Sequence, residues 1–138
     1  MACDQQATHG ENYKFKIKTK IGAIYNPLIH PKPFLVGWCG NLEAAQNMMN
    51  YMSSYDGTGK KPKSRDCEYL VLTEDRKIYT FVDPHNWVSI NEGYYSIGSG
   101  SRYALGALNA GASPKDAIKA AMKCDPMTGI GVKVVSIK

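Results

Sequence analysis

From Tyr13 to Ile21 apolar residues (Tyr13, Phe15, Ile17) alternate with lysines (Lys14, Lys16, Lys18, Lys20), the period-two pattern of a strand with one solvated face. The stretch before it, Met1 to Thr8, is short and moderately apolar and runs into the turn-forming cluster His9-Gly10-Glu11-Asn12. The two together predict a hairpin that turns near Gly10. Gly22 to Ile24 reads as a second short strand, followed by a loop with Pro27, Pro31 and Pro33. Phe34 to Trp38 then resumes an apolar β-type run that stops at Gly40.

The period changes after Asn41. Leu42, Ala45, Met48, Met49 and Met52 recur at helical spacing as far as about Tyr55, with Asn41 placed to cap the helix. Its methionines read as core filler. Asp56 to Asp66 is polar and predicts an exposed loop. Cys67 to Thr73 and Lys77 to Val82 flank Glu74-Asp75-Arg76, a second hairpin signal. Trp87 to Ile90 and Tyr94 to Ile97 are shorter β-type pieces. Ser101 to Asn109 predicts a helix ending near Gly111, and Ser113-Pro114-Lys115-Asp116 carries the cap, first-turn proline and following acid of a helix start. Val132 to Ile137 closes the chain as a strand. Strands, helix, strands, helices, strand, joined mostly by short turns, predict α+β architecture with antiparallel sheets and not a doubly wound parallel sheet.

Composition narrows the class without naming a chemistry. The 138 residues suit one domain, 1–138, and 43% hydrophobic with 21% charged residues is the profile of a folded chain. No apolar run is long enough to span a bilayer and no signal peptide opens the sequence, which predicts a cytoplasmic protein. Cys3, Cys39, Cys67 and Cys124 form no CxxC pair, so they read as thiols in a reducing compartment. The net charge of +5 comes largely from the lysine strand and from Lys60, Lys61, Lys63 and Arg65 in a loop. No nucleic-acid-binding signature accompanies either group, which argues against that partner. His9, His30 and His85 lack metal-ligand spacing, so neither a metal nor another cofactor is expected.

Four segments carry a resemblance. Ala2 to Gly10 (ACDQQATHG), Trp38 to Gln46 (WCGNLEAAQ), Ile97 to Ser101 (IGSGS) followed by Arg102 to Gly106 (RYALG), and Asp125 to Gly129 (DPMTG) stand in the order in which similar segments occur in proteasome β-subunits and their bacterial proteasome-like relatives. These are N-terminal-nucleophile hydrolases, and the resemblance covers nearly the whole chain. It implies a four-layer αββα sandwich of two antiparallel sheets flanked by helices. It also implies site roles: Asp4 matches the family's catalytic aspartate, Lys20 in KTKI the lysine across the nucleophile, Ser99 the serine near the active centre, and Asp125 the aspartate of the Asp-x-x-Ser-Gly loop. Thr128 stands where that loop has serine.

Peptide-cleaving members use an N-terminal threonine, less often serine or cysteine, whose hydroxyl or thiol attacks while its own amine acts as base. It sits on a strand preceding the aspartate strand. Only three residues precede Asp4, so that strand and its nucleophile are expected to be absent, and neither Cys3, Thr8 nor Ala2 replaces it. The expectation is a non-catalytic structural or assembly protein that forms a homo-oligomer or part of a larger complex. It would lie in a bacterial or host cytoplasm, or in a virion if phage-encoded. The alternative is a threonine peptidase acting on peptides whose first strand lies upstream of the given sequence. The bland readings of the same residues are an Asp4–Lys20 salt bridge between strands, Ser99 as a helix cap, and Asp125 to Thr128 as an Asx-type turn.

Overall fold

The computed structural model describes residues 1–9, 13–63 and 66–137, which form two compact units. The turn expected near Gly10 and the basic residue Arg65 lie outside the described residues.

The second unit, Gly22–Gly93 in the main, is an antiparallel sheet in the order β4 (Ile21–Ile24), β5 (Phe34–Gly40), β6 (Cys67–Thr73), β7 (Ile78–Asp83), β8 (Asn86–Ile90). β5 is apolar throughout because it lies between two strands and is covered on both faces; Phe34 through Trp38 are all buried. Helix α1 (Leu42–Ser54) sets Ala45, Met48 and Met52 into the core at helical spacing. Its start is fixed by side chain and backbone together: Asn41 accepts the Ala44 N–H on its side chain at 2.9 Å, and its own N–H reaches the Asp66 carbonyl at 3.0 Å. Gly40 makes this approach possible, since its φ is +106° and a Cβ there would lie 1.9 Å from the Asp66 carbonyl oxygen. Tyr69 stacks flat on Phe81 beneath this layer, ring centroids 4.7 Å apart.

The first unit comprises Met1–Ile21 and Tyr94–Ser136. It holds two short antiparallel ribbons, β1 (Ala2–Asp4) with β9 (Val132–Val134) and β2 (Gln6–His9) with β3 (Tyr13–Lys16), and a helical hairpin of α2 (Ser101–Asn109) and α3 (Pro114–Cys124). The helices meet through Ala104, Ala117 and Ala121, small enough to bring the backbones close. α3 begins as its sequence predicts, with Ser113 Oγ accepting the Asp116 N–H at 3.2 Å and Pro114 in the first turn.

Several boundaries differ from the sequence pattern. The strand expected over Met1 to Thr8 breaks at Gln5, whose N–H points to the Gly131 carbonyl (3.0 Å) while its carbonyl accepts from Ile17 N (2.9 Å). One residue cannot serve two neighbours from a flat strand, so the chain twists there. The strand expected over Tyr13 to Ile21 ends at Lys16 and resumes at Ile21. Lys14, Lys16 and Lys18 are exposed as predicted, but Lys20 leaves that solvated face for an ion pair. Tyr94 to Ile97 is irregular, and the Tyr94 hydroxyl donates to Asn109 Oδ1. Among the described residues no helix is long and apolar enough to cross a membrane.

Candidate functional site

All five residues singled out by the resemblance lie in the first unit. Asp4 closes β1 and is nearly buried, with both carboxylate oxygens occupied. Oδ1 accepts from Lys20 Nζ at 2.7 Å, and Oδ2 accepts the Gln6 N–H at 3.2 Å and the Gly129 N–H at 3.0 Å. The Lys20 and Asp4 side chains are only 14% and 11% exposed, so this is a desolvated, charge-assisted pair and not a surface ion pair.

The second cluster centres on Asp125, at the end of α3. Ser99 Oγ and Thr128 Oγ1 both donate to its Oδ2 at 2.6 Å, while Oδ1 accepts the Met127 N–H at 3.1 Å. Burial pushes the Asp125 carboxyl up, but the Ser99 and Thr128 hydroxyls, the Met127 N–H and the nearby Lys14 charge outweigh it, and the group is held below the ordinary carboxylate range. Ser99 is therefore no helix cap; the cap position before α2 is Gly100, which makes no side-chain cap bond. The Asx turn at Asp125 is real, and the same carboxylate also reaches across to Ser99. A hydroxyl whose proton is committed to a carboxylate turns its lone pairs outward, so Ser99 and Thr128 present acceptors suited to an amine. Gly129 N–H, at the end of this loop, bonds to Asp4 and ties the two clusters together.

Cys3 is the nucleophilic atom nearest this pair in sequence. Burial pushes its thiol up, and the Lys20 N–H and Thr19 hydroxyl beside it only partly oppose that. A protonated thiol is a poor nucleophile, and Cys3 is half-buried where a core position was expected. Two of the histidines have aromatic partners: His30 stacks on Trp87 at 5.4 Å and His85 Nε2 pairs with Tyr51 Oη at 2.8 Å. Among the described residues no group of His, Cys, Asp and Glu could hold a metal ion.

No protein-family model and no curated protein matches the chain. Solved structures do. BPH from Thiobacillus denitrificans, in complex with epoxomicin, is similar with a TM-score of 0.72 at 18% identity, over 96% of this chain and 88% of that one. Anbu, an ancestral β-subunit from Yersinia bercovieri, gives a TM-score of 0.64 at 12% identity, over 95% of this chain and 73% of that one. Anbu from Pseudomonas aeruginosa, solved as a helical assembly, gives 0.62 at 11% identity, over 95% of this chain and 73% of that one. The fold is that of the bacterial proteasome-like proteins. The likeness bears out the αββα class of two antiparallel sheets flanked by helices; at these identities it speaks for the fold alone.

Sequence reasoning missed three residues that hold the site together. Gln6 is 4% exposed, and its side-chain NH2 donates to the Pro126 carbonyl at 3.0 Å. Lys14 Nζ reaches the same carbonyl at 2.6 Å. Gln5 donates from its side chain to the carbonyls of Ile17 and Lys18 at 3.3 and 2.7 Å. The available signal was the tandem glutamine directly after Asp4, an expensive pair of amides to place in a strand unless each has a partner.

Proposed function

We propose that the chain is an assembly-forming subunit of proteasome-like fold whose Asp4–Lys20 pair and Ser99–Asp125–Thr128 cluster are the supporting frame of an N-terminal-nucleophile site, and that this chain alone does not hydrolyse peptides. The observation that carries the reading is the content of the frame. Among the described residues, Lys20 Nζ is held by Asp4, the neighbouring thiol is kept protonated by burial, and the Ser99 and Thr128 protons are spent on Asp125. These groups can orient an amine and stabilise developing negative charge; none is an activated nucleophile. The helical assembly of the Pseudomonas Anbu supports the assembly half of the proposal by analogy.

A second reading has its own support. The satisfied bonding of the Asp4 carboxylate keeps Lys20 Nζ in place at the cost of desolvating a charge pair, and among the described residues β1 pairs in a two-stranded sheet with β9, a ribbon that a further strand would extend. A strand bearing an N-terminal threonine would complete a peptidase there. Incubating the 138-residue chain with unstructured peptides and with epoxomicin, then weighing it by mass spectrometry, tests the first reading: no cleavage and no adduct is expected, and an adduct would overturn it. The same assay on a chain extended by the residues encoded in frame upstream tests the second.

A further inference from the structure

We infer that Gln5 and Gln6 are positioning residues that act as a two-armed yoke, Gln5 holding the segment that delivers Lys20 and Gln6, with Lys14, holding the loop that delivers Asp125 and Thr128. The inference deepens the supporting-frame reading and rests on it for its purpose, though not for its geometry.

The two glutamines are consecutive, on either side of the twist between β1 and β2, so their side chains leave the strand in different directions. The Gln5 side chain donates to the carbonyls of Ile17 and Lys18, and the Gln5 carbonyl accepts from Ile17 N at 2.9 Å. That fixes the segment two residues ahead of Lys20. The Gln6 side chain donates to the Pro126 carbonyl, the residue after Asp125, and Lys14 Nζ from the facing strand closes on the same oxygen. Gln6 and Lys14 thus hold one carbonyl from two directions. Neither loop is stiffened by regular structure, since the residues from Ile17 to Lys20 and from Asp125 to Gly131 belong to no strand or helix.

The fit is tight where it must be. A Cβ on Gly129 would lie 2.5 Å from Gln6 Oε1 and one on Gly131 would lie 2.8 Å from Gln5 Oε1, so both amides lie against backbone that has no room for a side chain. The backbone N–H groups of Gln6 and Gly129 meet on Asp4 Oδ2. The yoke therefore registers the Asp4 carboxylate, the Lys20 ammonium and the Asp125 hydroxyl cluster against one another.

Four variants test this: Gln5→Met, Gln6→Met, Lys14→Met and, as a control of equal charge change, Lys16→Met. The side-chain 15N signal of Lys20 reports one arm by NMR, and amide hydrogen exchange at Met127 and Thr128 reports the other. Gln5→Met is expected to shift or broaden the Lys20 signal and leave exchange at Met127 and Thr128 unchanged. Gln6→Met is expected to speed that exchange by roughly tenfold, the size of one lost net hydrogen bond, with the Lys20 signal unmoved. Lys14→Met, at an exposed position and so safe for folding, is expected to act in the same direction as Gln6→Met and more weakly, and Lys16→Met to do nothing. Both glutamine variants moving both reporters, or neither moving its own, would overturn the yoke; if Gln6→Met does not fold, Lys14→Met against Lys16→Met decides its arm. Neither readout involves peptide cleavage, so the yoke and the proposed function can fail separately.

Discussion

The two units are held together by different physics. In the second, large apolar side chains do the work: Phe34, Val36, Met48, Met52, Tyr69 and Val71 are essentially inaccessible to water, and non-directional burial is the main stabilising term. In the first, the buried apolar residues include Ala104, Ala117 and Ala121, while Asp4, Gln6 and Asp125 are buried polar groups. Directional bonds there fix the positions of the charged groups, and alanine contacts add little area. The second unit also buries Asn26 and Thr73, yet its largest buried side chains are mostly hydrocarbon, whereas the first unit holds its charged groups with hydrogen bonds.

Removing Asp4 should therefore be among the most damaging changes in the first unit. Asp4→Ala leaves the Lys20 ammonium and two backbone N–H groups without their acceptor and is expected to cost about 3–5 kcal/mol by chemical denaturation. Met48→Ala, the matching change in the second unit, is expected to cost about 2–5 kcal/mol through lost transfer energy and a cavity. The contrast is sharpened by Met48→Leu, which should recover most of that loss because the core needs only volume. Asp4→Asn should not recover its own, since an amide cannot accept from Lys20 and both N–H groups as a carboxylate does. Equal rescue in both units would break the distinction.

Lys20→Met is milder than Asp4→Ala, because Asp4 keeps the N–H groups of Gln6 and Gly129; about 1–3 kcal/mol is expected in the same measurement. The pH dependence follows from Asp125. Its carboxyl is held low in the folded chain, so the stability it contributes is fully present above the ordinary unfolded value near ~4 and is lost as pH falls through the folded value. Thr128→Ala removes one of the hydroxyls that hold it down and should move the acid limb of a stability-against-pH curve to higher pH. An unchanged limb would mean that the other donors suffice. The smallest effect expected is chemical: with Cys124 exposed and Cys3 half-buried, a maleimide should label Cys124 first, as peptide mapping would show.

Much of this was legible in the chain. Periodicity placed α1, α2 and α3 because apolar faces are local properties, as are the caps of α1 and α3: Asn41 and Ser113 cap as their types predict. The β6–β7 hairpin was legible for the same reason, its turn closed by Thr73, Asp75 and Arg76. The strand break at Gln5 was not, since its N–H answers to partners more than a hundred residues away, Gly129 and Gly131, and the break after Lys16 goes with the Ile17 N–H turning to the Gln5 carbonyl. The pairing of Asp4 with Lys20 was expected from the resemblance; that Ser99 and Thr128 both donate to Asp125 was not expected, and the spacing of those residues encodes neither. Lys14 was assigned to a solvated face by its alternation, correctly for exposure, yet alternation says nothing about where an exposed ammonium reaches.

The alanine seam between α2 and α3 has a further consequence for tolerance. Gly100 opens α2 against α3 and the Asp125 loop, and a Cβ added there would lie 2.6 Å from Thr128 Oγ1, 3.1 Å from the Ala121 Cβ and 3.3 Å from Asp125 Oδ2. The thickness of the helical hairpin is thus a dimension of the hydroxyl cluster itself, set by atoms that are missing instead of by atoms that touch. A single methyl group added at Gly100 or along the seam works as a shim: it leaves every polar partner in the chain and still changes the gap those partners must bridge. Drift in sequence at these small residues is constrained by clearance, and a survey of tolerated substitutions should find Gly100, Ala104, Ala117 and Ala121 intolerant of enlargement even where the helices themselves keep their stability.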